Sequence, residues 1–176
     1  VSAGGWGARE IIDALGLEPL PVEGGYFRRT YESDLWTGGA DAPEGGKARR
    51  RLATAIYYLV TGDEFSAMHR LASDEIFHFY LGDPVEMLRL YPDGSGDVTI
   101  IGPDLARGMQ PQVVVPRGVW QGARLVPGGR FALLGTTVSP GFEYDDYEHG
   151  DREALASQYP AFRAVIEALT RPGSPR

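Results

Sequence analysis

Apolar positions along this chain recur at two different spacings. Near the start, Ile11, Ile12 and Leu15 fall at helical intervals with Gly16 as a stop, which predicts a short amphipathic helix over residues 8–16. Pro19 and Pro21 then impose extended chain, and Gly24-Gly25 lead into Tyr26-Phe27-Arg28-Arg29-Thr30-Tyr31, read as a first strand. Residues 37–51 are rich in Gly, Ala, Asp and basic side chains and read as a surface loop. From Ala53 onward apolar runs alternate with turn signals about every ten residues, as in all-β sandwiches and barrels. The runs are 55–60, 64–71, 75–81, 85–91, 98–101, 113–115, 119–126 and 131–138. Without or with the first strand they make eight or nine, the number of an antiparallel jelly roll or closed barrel. Pro160 sits where a C-terminal helix over 161–169 can begin, and the last residues, 170–176, read as a disordered polar tail.

The runs 64–71 and 75–81 flank Ala72, Ser73 and Asp74, which predicts a hairpin with a three-residue loop, Leu71 facing Glu75, His69 facing Phe77 and Ala67 facing Phe79. One face then carries Phe65, Ala67, His69, Leu71, Glu75, Phe77, Phe79 and Leu81. The other carries Ser66, Met68, Arg70, Ile76, His78 and Tyr80. An imidazole and a carboxylate on an otherwise apolar face are costly to bury unless they satisfy each other, a ligand or a metal. His69 and Glu75 are therefore the candidate catalytic residues. His78 reads as part of a half-apolar outer face with Met68 and Tyr80, and His149 as an exposed member of the acidic, aromatic stretch 142–149.

Composition narrows the classes. With 176 residues, 43% hydrophobic and 23% charged, the chain reads as one domain over residues 1–176 with its core over about 22–142. A net charge of -7 argues against a nucleic-acid partner. The absence of cysteine removes disulfides, thiolate metal sites and a Cys nucleophile. No apolar run reaches the roughly 18 residues of a membrane span, and no signal-peptide pattern is visible, so the expectation is a cytoplasmic protein with no membrane partner. The run Arg49-Arg50-Arg51 reads either as a solvated loop end or as an anion-contacting rim, and Arg70 and Arg117 carry the same alternatives.

Gly62, His69, Glu75 and Gly82 resemble the first signature of the cupin superfamily, in which a second histidine stands where this chain has Leu71. Pro116-Arg117-Gly118-Val119-Trp120-Gln121 resembles the second signature, with Gln121 in place of its histidine and Leu125 in place of its asparagine. Together with Glu23-Gly24-Gly25-Tyr26-Phe27 and Pro140-Gly141-Phe142, these stretches are similar to the fifth cupin family, a domain of unknown function. The resemblance implies a jelly-roll β-barrel, a pocket around His69, Glu75 and Gln121, and a homodimer. It fixes no reaction.

Mononuclear cupin sites usually draw on three histidines and a glutamate, so the ligand set here is short and no metal or other cofactor is expected, with a metal-dependent cupin enzyme kept as the last alternative. By resemblance to cupin epimerases of nucleotide sugars, His69 could act as a base oriented by Glu75, with Tyr26, Tyr144 or Tyr147 as the acid. A non-catalytic binding protein for a polar small molecule fits the same residues. In either case Gln121, Phe77, Phe79, Arg70 and Tyr26 are the ligand-contact candidates, with Trp120 as a further wall. A His–Glu pair left from a metal-binding ancestor, with no function, is the remaining reading.

Overall fold

The computed structural model describes residues 5–37 and 49–171. The loop expected over 37–51 falls mostly on residues 38–48, and the tail expected over 170–176 mostly on 172–176, outside the described residues.

Helix α1 (Ala8–Leu15) ends at Gly16, whose left-handed φ of 59° closes the last turn. Strands β1 (Glu18–Pro19), β2 (Tyr26–Glu32), β3 (Thr54–Thr61), β4 (Ser66–Arg70) and β5 (Asp74–Gly82) follow. Next come β6 (Val85–Leu90), β7 (Gly96–Ile101), β8 (Gln112–Val115), β9 (Trp120–Leu125), β10 (Phe131–Ser139) and β11 (Glu148–His149). Helices α2 (Arg152–Gln158) and α3 (Arg163–Ala168) close the described chain, joined by a 3-10 turn at Pro160–Phe162. The C-terminal segment thus holds one helix more than its Pro160 signal suggests, capped at its start by the Asp151 carboxylate.

Two antiparallel sheets form a jelly roll, one ordered β1-β2-β3-β10-β5-β8 and the other β11-β4-β9-β6-β7. Period-two alternation sends one set of side chains between them: Tyr58 and Val60 from β3, Phe77 from β5, Met87 from β6, Ala123 from β9 and Leu134 from β10. The outer face of the five-stranded sheet, with Met68, Leu88 and Trp120, is covered by Leu155, Tyr159, Ile166 and Leu169 of the C-terminal helices. Ile11 of α1 covers Leu59, Phe131 and Leu133 on the other sheet. Among the described residues no helix is long and apolar enough to cross a membrane.

The predicted hairpin does not form. β4 pairs with β9 and β11, whereas β5 pairs with β10 and β8, so the chain crosses between sheets at Leu71–Ser73. A three-residue hairpin loop needs a left-handed residue, and none of residues 71–74 has a positive φ. His69 and Glu75 nevertheless face the same interior, from opposite walls. A bulge in β5 between Phe79 and Leu81 then turns Leu81 to the outer face, against Leu133. The outer face expected to join His78, Met68 and Tyr80 is likewise divided. Met68 lies beneath the C-terminal helices, while His78 contacts Thr137 Oγ1 at 3.2 Å and Gln112 Nε2 at 3.3 Å on the six-stranded sheet.

Candidate functional site

Glu23 reaches the mouth of the barrel through a strained turn. Its N–H donates to the Pro21 carbonyl at 2.8 Å around Val22, whose φ is 69°. That is a γ-turn with a β-branched residue in the left-handed region, where a side chain costs about 1–3 kcal/mol. Gly24 and Gly25 continue with φ of 101° and 74°, and a Cβ on Gly24 would lie 2.5 Å from the Phe65 carbonyl oxygen. The Gly-Gly pair is therefore required by close backbone approach. Arg171 clamps the turn from the C-terminal side: Nη1 donates to the Val22 and Glu23 carbonyls at 3.1 Å each, and Nη2 to Glu64 at 3.0 Å. Glu23 Oε1 accepts the Ser66 hydroxyl at 2.7 Å.

His69 is placed by a second irregularity. Ser66 pairs with Ala123 and His69 with Gln121, so three steps along β4 match two along β9. The bulge lets Ser66 and His69 both face inward. Its backbone groups find partners elsewhere: Ala67 N–H on the Glu23 carbonyl at 2.9 Å, Met68 N–H on Leu169 at 2.8 Å, and the Met68 carbonyl from Gly150 N–H at 2.7 Å. The Ala67 carbonyl accepts from His69 Nδ1 at 2.8 Å. A carbonyl only accepts, so Nδ1 keeps its proton and Nε2 is the nitrogen presented to the site.

Nε2 lies 4.0 Å from Glu23 Oε2 and 3.9 Å from Glu75 Oε2, and the imidazole is 2% exposed. Burial alone would push His69 toward neutrality, but Glu23 and then Glu75 outweigh it and lift its pKa to about 9. His69 is an imidazolium at neutral pH. Burial raises the Glu23 carboxyl above the usual range, the charge of His69 opposes the rise and the charge of Glu75 adds to it. Glu75 accepts from Gln121 Nε2 at 2.6 Å, which leaves buried Gln121 Oε1 without a partner among the described residues.

Tyr147 stacks on His69, with ring centroids 5.2 Å apart and planes at 19°. Its hydroxyl lies 3.1 Å from His149 Nδ1. Burial, and next Glu23, raise the Tyr147 pKa, while burial, and next the charge of His69, lower that of His149. A neutral phenol therefore meets a neutral imidazole. His149 is half-buried in β11 and pairs with His69 itself, not exposed in a loop as its acidic neighbours suggest. An inner chamber of about 60 Å³ touches Glu23, Tyr58, His69, Leu71 and Glu75. Past Leu20, Phe142 and Tyr144 it meets a vestibule of about 490 Å³ that reaches Tyr147, His149 and Asp151.

Of the residues expected at the site, His69, Glu75 and Gln121 come together. Phe77 and Phe79 belong to the core below the chamber. Strand alternation sends Phe27, not Tyr26, inward, and Tyr26 packs beside α1. Arg70 faces outward, paired with Glu148 at 2.7 and 2.9 Å and lying 4.6 Å above the Trp120 ring, which is itself on the outer face. Arg117 lines a shallow outer depression beside Arg70. Arg50 pairs with Asp146, Arg51 with Glu32 at 2.8 Å, and Arg49 lies over Trp36. Sequence reasoning assigned no role to Glu23. Its signal was a lone carboxylate between two prolines and a Gly-Gly pair.

The donor set does not fit the metal that many cupins carry. Leu71 stands where a second imidazole would be needed and Gln121 turns its N–H toward Glu75, so among the described residues His69 is the one imidazole at the chamber. Among the described residues no three His, Asp or Glu side chains are arranged to hold a metal ion.

The structure of protein SO0799 from Shewanella oneidensis is similar over 95% of this chain and 99% of its own, with a TM-score of 0.82 and 38% identity. A hypothetical protein from Leishmania major gives 0.84 and 31% over 94% and 99%. The uncharacterized protein YML079W of Saccharomyces cerevisiae is 31% identical over 133 residues, 71% of this chain and 66% of that protein, just under two thirds of its length. The family described as Cupin superfamily (DUF985) matches residues 9–150, which include Glu23, His69, Glu75, Gln121 and Tyr147, and the chain belongs to that family.

Proposed function

We propose that the barrel mouth binds a polar, hydroxylated small molecule and moves a proton on it without a metal, in the manner of a sugar-type isomerase or epimerase. One observation carries the reading. The buried imidazole nitrogen Nε2 of His69 faces two carboxylates across a chamber, at distances too long for direct hydrogen bonds and right for a bridging ligand atom.

The electrostatics favour a division of labour different from the sequence expectation. His69, with its raised pKa, suits a general acid: Nε2–H donates to a ligand carbonyl oxygen. Glu23, lifted by burial, suits the base. Glu23 takes the proton from the carbon beside the carbonyl, the C–H electrons form a C=C bond, and the carbonyl oxygen takes the His69 proton to give an enediol. For isomerisation the adjacent hydroxyl gives its proton to the neutral His69, its oxygen re-forms a C=O, and the C=C electrons take the Glu23 proton at the former carbonyl carbon; for epimerisation the new hydroxyl returns its proton to His69 and the original carbon takes a proton from water on the other face, the Glu23 proton passing to solvent. Glu75, 3.9 Å away, balances the charge of His69 whenever the imidazole carries both protons. A homodimer through the outer face of the six-stranded sheet, where Tyr31, Tyr80 and Val114 are exposed, is part of the same proposal.

The test is deuterium wash-in. Protein treated with a chelator is incubated in D2O with aldoses and ketoses, and deuterium at the carbon beside the carbonyl is followed by NMR. Incorporation by the wild type and its loss in folded Glu23→Gln and His69→Gln variants are expected. Ligand binding with no incorporation refutes the isomerase and favours the non-catalytic binder; incorporation undiminished in both variants refutes the assignment of roles.

A further inference from the structure

Resting on that reading, we infer a ligand class from the groups that face the chamber: uncharged polyhydroxy compounds or ones carrying an ammonium group are accepted, and phosphorylated or carboxylated ones are rejected. The lining is rich in acceptors. Glu23 Oε2 and Glu75 Oε2 lie 4.0 and 3.9 Å from His69 Nε2, and Gln121 Oε1 is buried beside them without a partner among the described residues. Gln121 cannot turn to serve as a donor without giving up the 2.6 Å bond from its Nε2 to Glu75. Of these four groups only His69 Nε2–H donates.

An anionic oxygen brought to His69 meets one attraction and two repulsions at nearly the same range. Hydroxyl or ammonium hydrogens meet the two carboxylates that line the chamber, Glu23 and Glu75. The rim does not reverse the balance. Arg29, which lines the chamber, pairs with Glu32 at 3.3 Å, Arg70 with Glu148, and Arg50 with Asp146. Arg171 holds backbone carbonyls and Glu64. The vestibule adds the carboxylate of Asp151 and the rings of Phe142 and Tyr144, which pack edge to face at 5.3 Å. Such rings accept sugar C–H faces and cations alike.

The probes are matched sets on three skeletons, glucose, galactose and mannose: the free sugar, its 2-amino form, its 6-phosphate and its 6-carboxylate. Binding is read by thermal shift and by perturbation of the His69 ring signals. The free and amino sugars are expected to bind at least about tenfold more tightly than the phosphates and carboxylates. Glu23→Gln, with its fold checked by circular dichroism, is expected to narrow the preference for amino over acidic members. Equal or tighter binding of the acidic members overturns the ligand class, as does a panel in which no member perturbs His69. Deuterium exchange confined to acidic members overturns the ligand class and leaves the isomerase reading standing; binding of neutral members without exchange does the reverse.

Discussion

Replacing Glu23 with Gln keeps the size of the side chain and an acceptor for Ser66 but removes one of the two charges that hold the proton on His69. The pKa of that imidazole rises from 6.5 to about 9, which at about 1.4 kcal/mol per pH unit is about 3 kcal/mol of stability. The folded state binds this proton more tightly than the unfolded chain does. The contribution is therefore complete below pH 6.5 and is lost as pH climbs through about 9. At an effective dielectric of about 20, a unit-charge pair 4.0 Å apart is worth about 4 kcal/mol, enough for Glu23 to supply a large share of the lift. Glu75 stands at the same range, 3.9 Å, so about half of the pH-dependent stability is expected to disappear in Glu23→Gln. At pH 9.5 the wild type holds two carboxylates around a neutral ring and the variant only one, so the variant gains on the wild type there. Urea unfolding of both proteins at pH 6.5 and 9.5 reads this directly. Tyrosines with raised pKa values do not titrate in that window. Parallel loss of stability in the two proteins would refute the electrostatic coupling.

Other predictions concern the turn and the donor set. Gly24→Ala places a methyl 2.5 Å from the Phe65 carbonyl at a φ of 101°, and a loss of at least about 2 kcal/mol in urea unfolding is expected. Val22→Gly relieves the left-handed strain and is expected to change stability by less than about 1 kcal/mol, because the relief is offset by unfolded-state entropy; a loss above about 2 kcal/mol would show that the turn is not strained. Titration with Zn²⁺ or Mn²⁺ at pH 7.5 is expected to show no stoichiometric site by calorimetry, since the chamber presents one imidazole, with Leu71 in place of a second and Gln121 turned N–H toward Glu75.

Most strands were legible because alternation and turn residues report directly on a half-buried sheet: the run 131–138 became β10 (Phe131–Ser139), and 85–91 became β6 (Val85–Leu90). Pairing was not legible. Neighbouring runs invite a hairpin, but which strand each edge joins is decided by long-range packing, and here β4 and β5 went to different sheets. The faces of His69 and Glu75 survived that error because alternation is a local property of each strand. The two bulges, in β4 and β5, left no periodic trace and moved Ser66 inward and Leu81 outward. Tyr26 failed as a contact because alternation in β2 sends Phe27 inward instead, and Arg70 because it lies on the face opposite His69, where strand alternation had already placed it. Glu23 was hidden because its burial depends on a γ-turn and an arginine about 150 positions away, at Arg171.

The claim on which the rest depends is that His69 is charged while buried between Glu23 and Glu75. Long-range ¹H–¹⁵N correlation on protein labelled at histidine reads both ring nitrogens at pH 7.5. The account predicts that both His69 nitrogens carry protons, with a titration midpoint near 9, while His149 is neutral in the same spectrum. A His69 Nε2 with a free lone pair at pH 7.5 would contradict it.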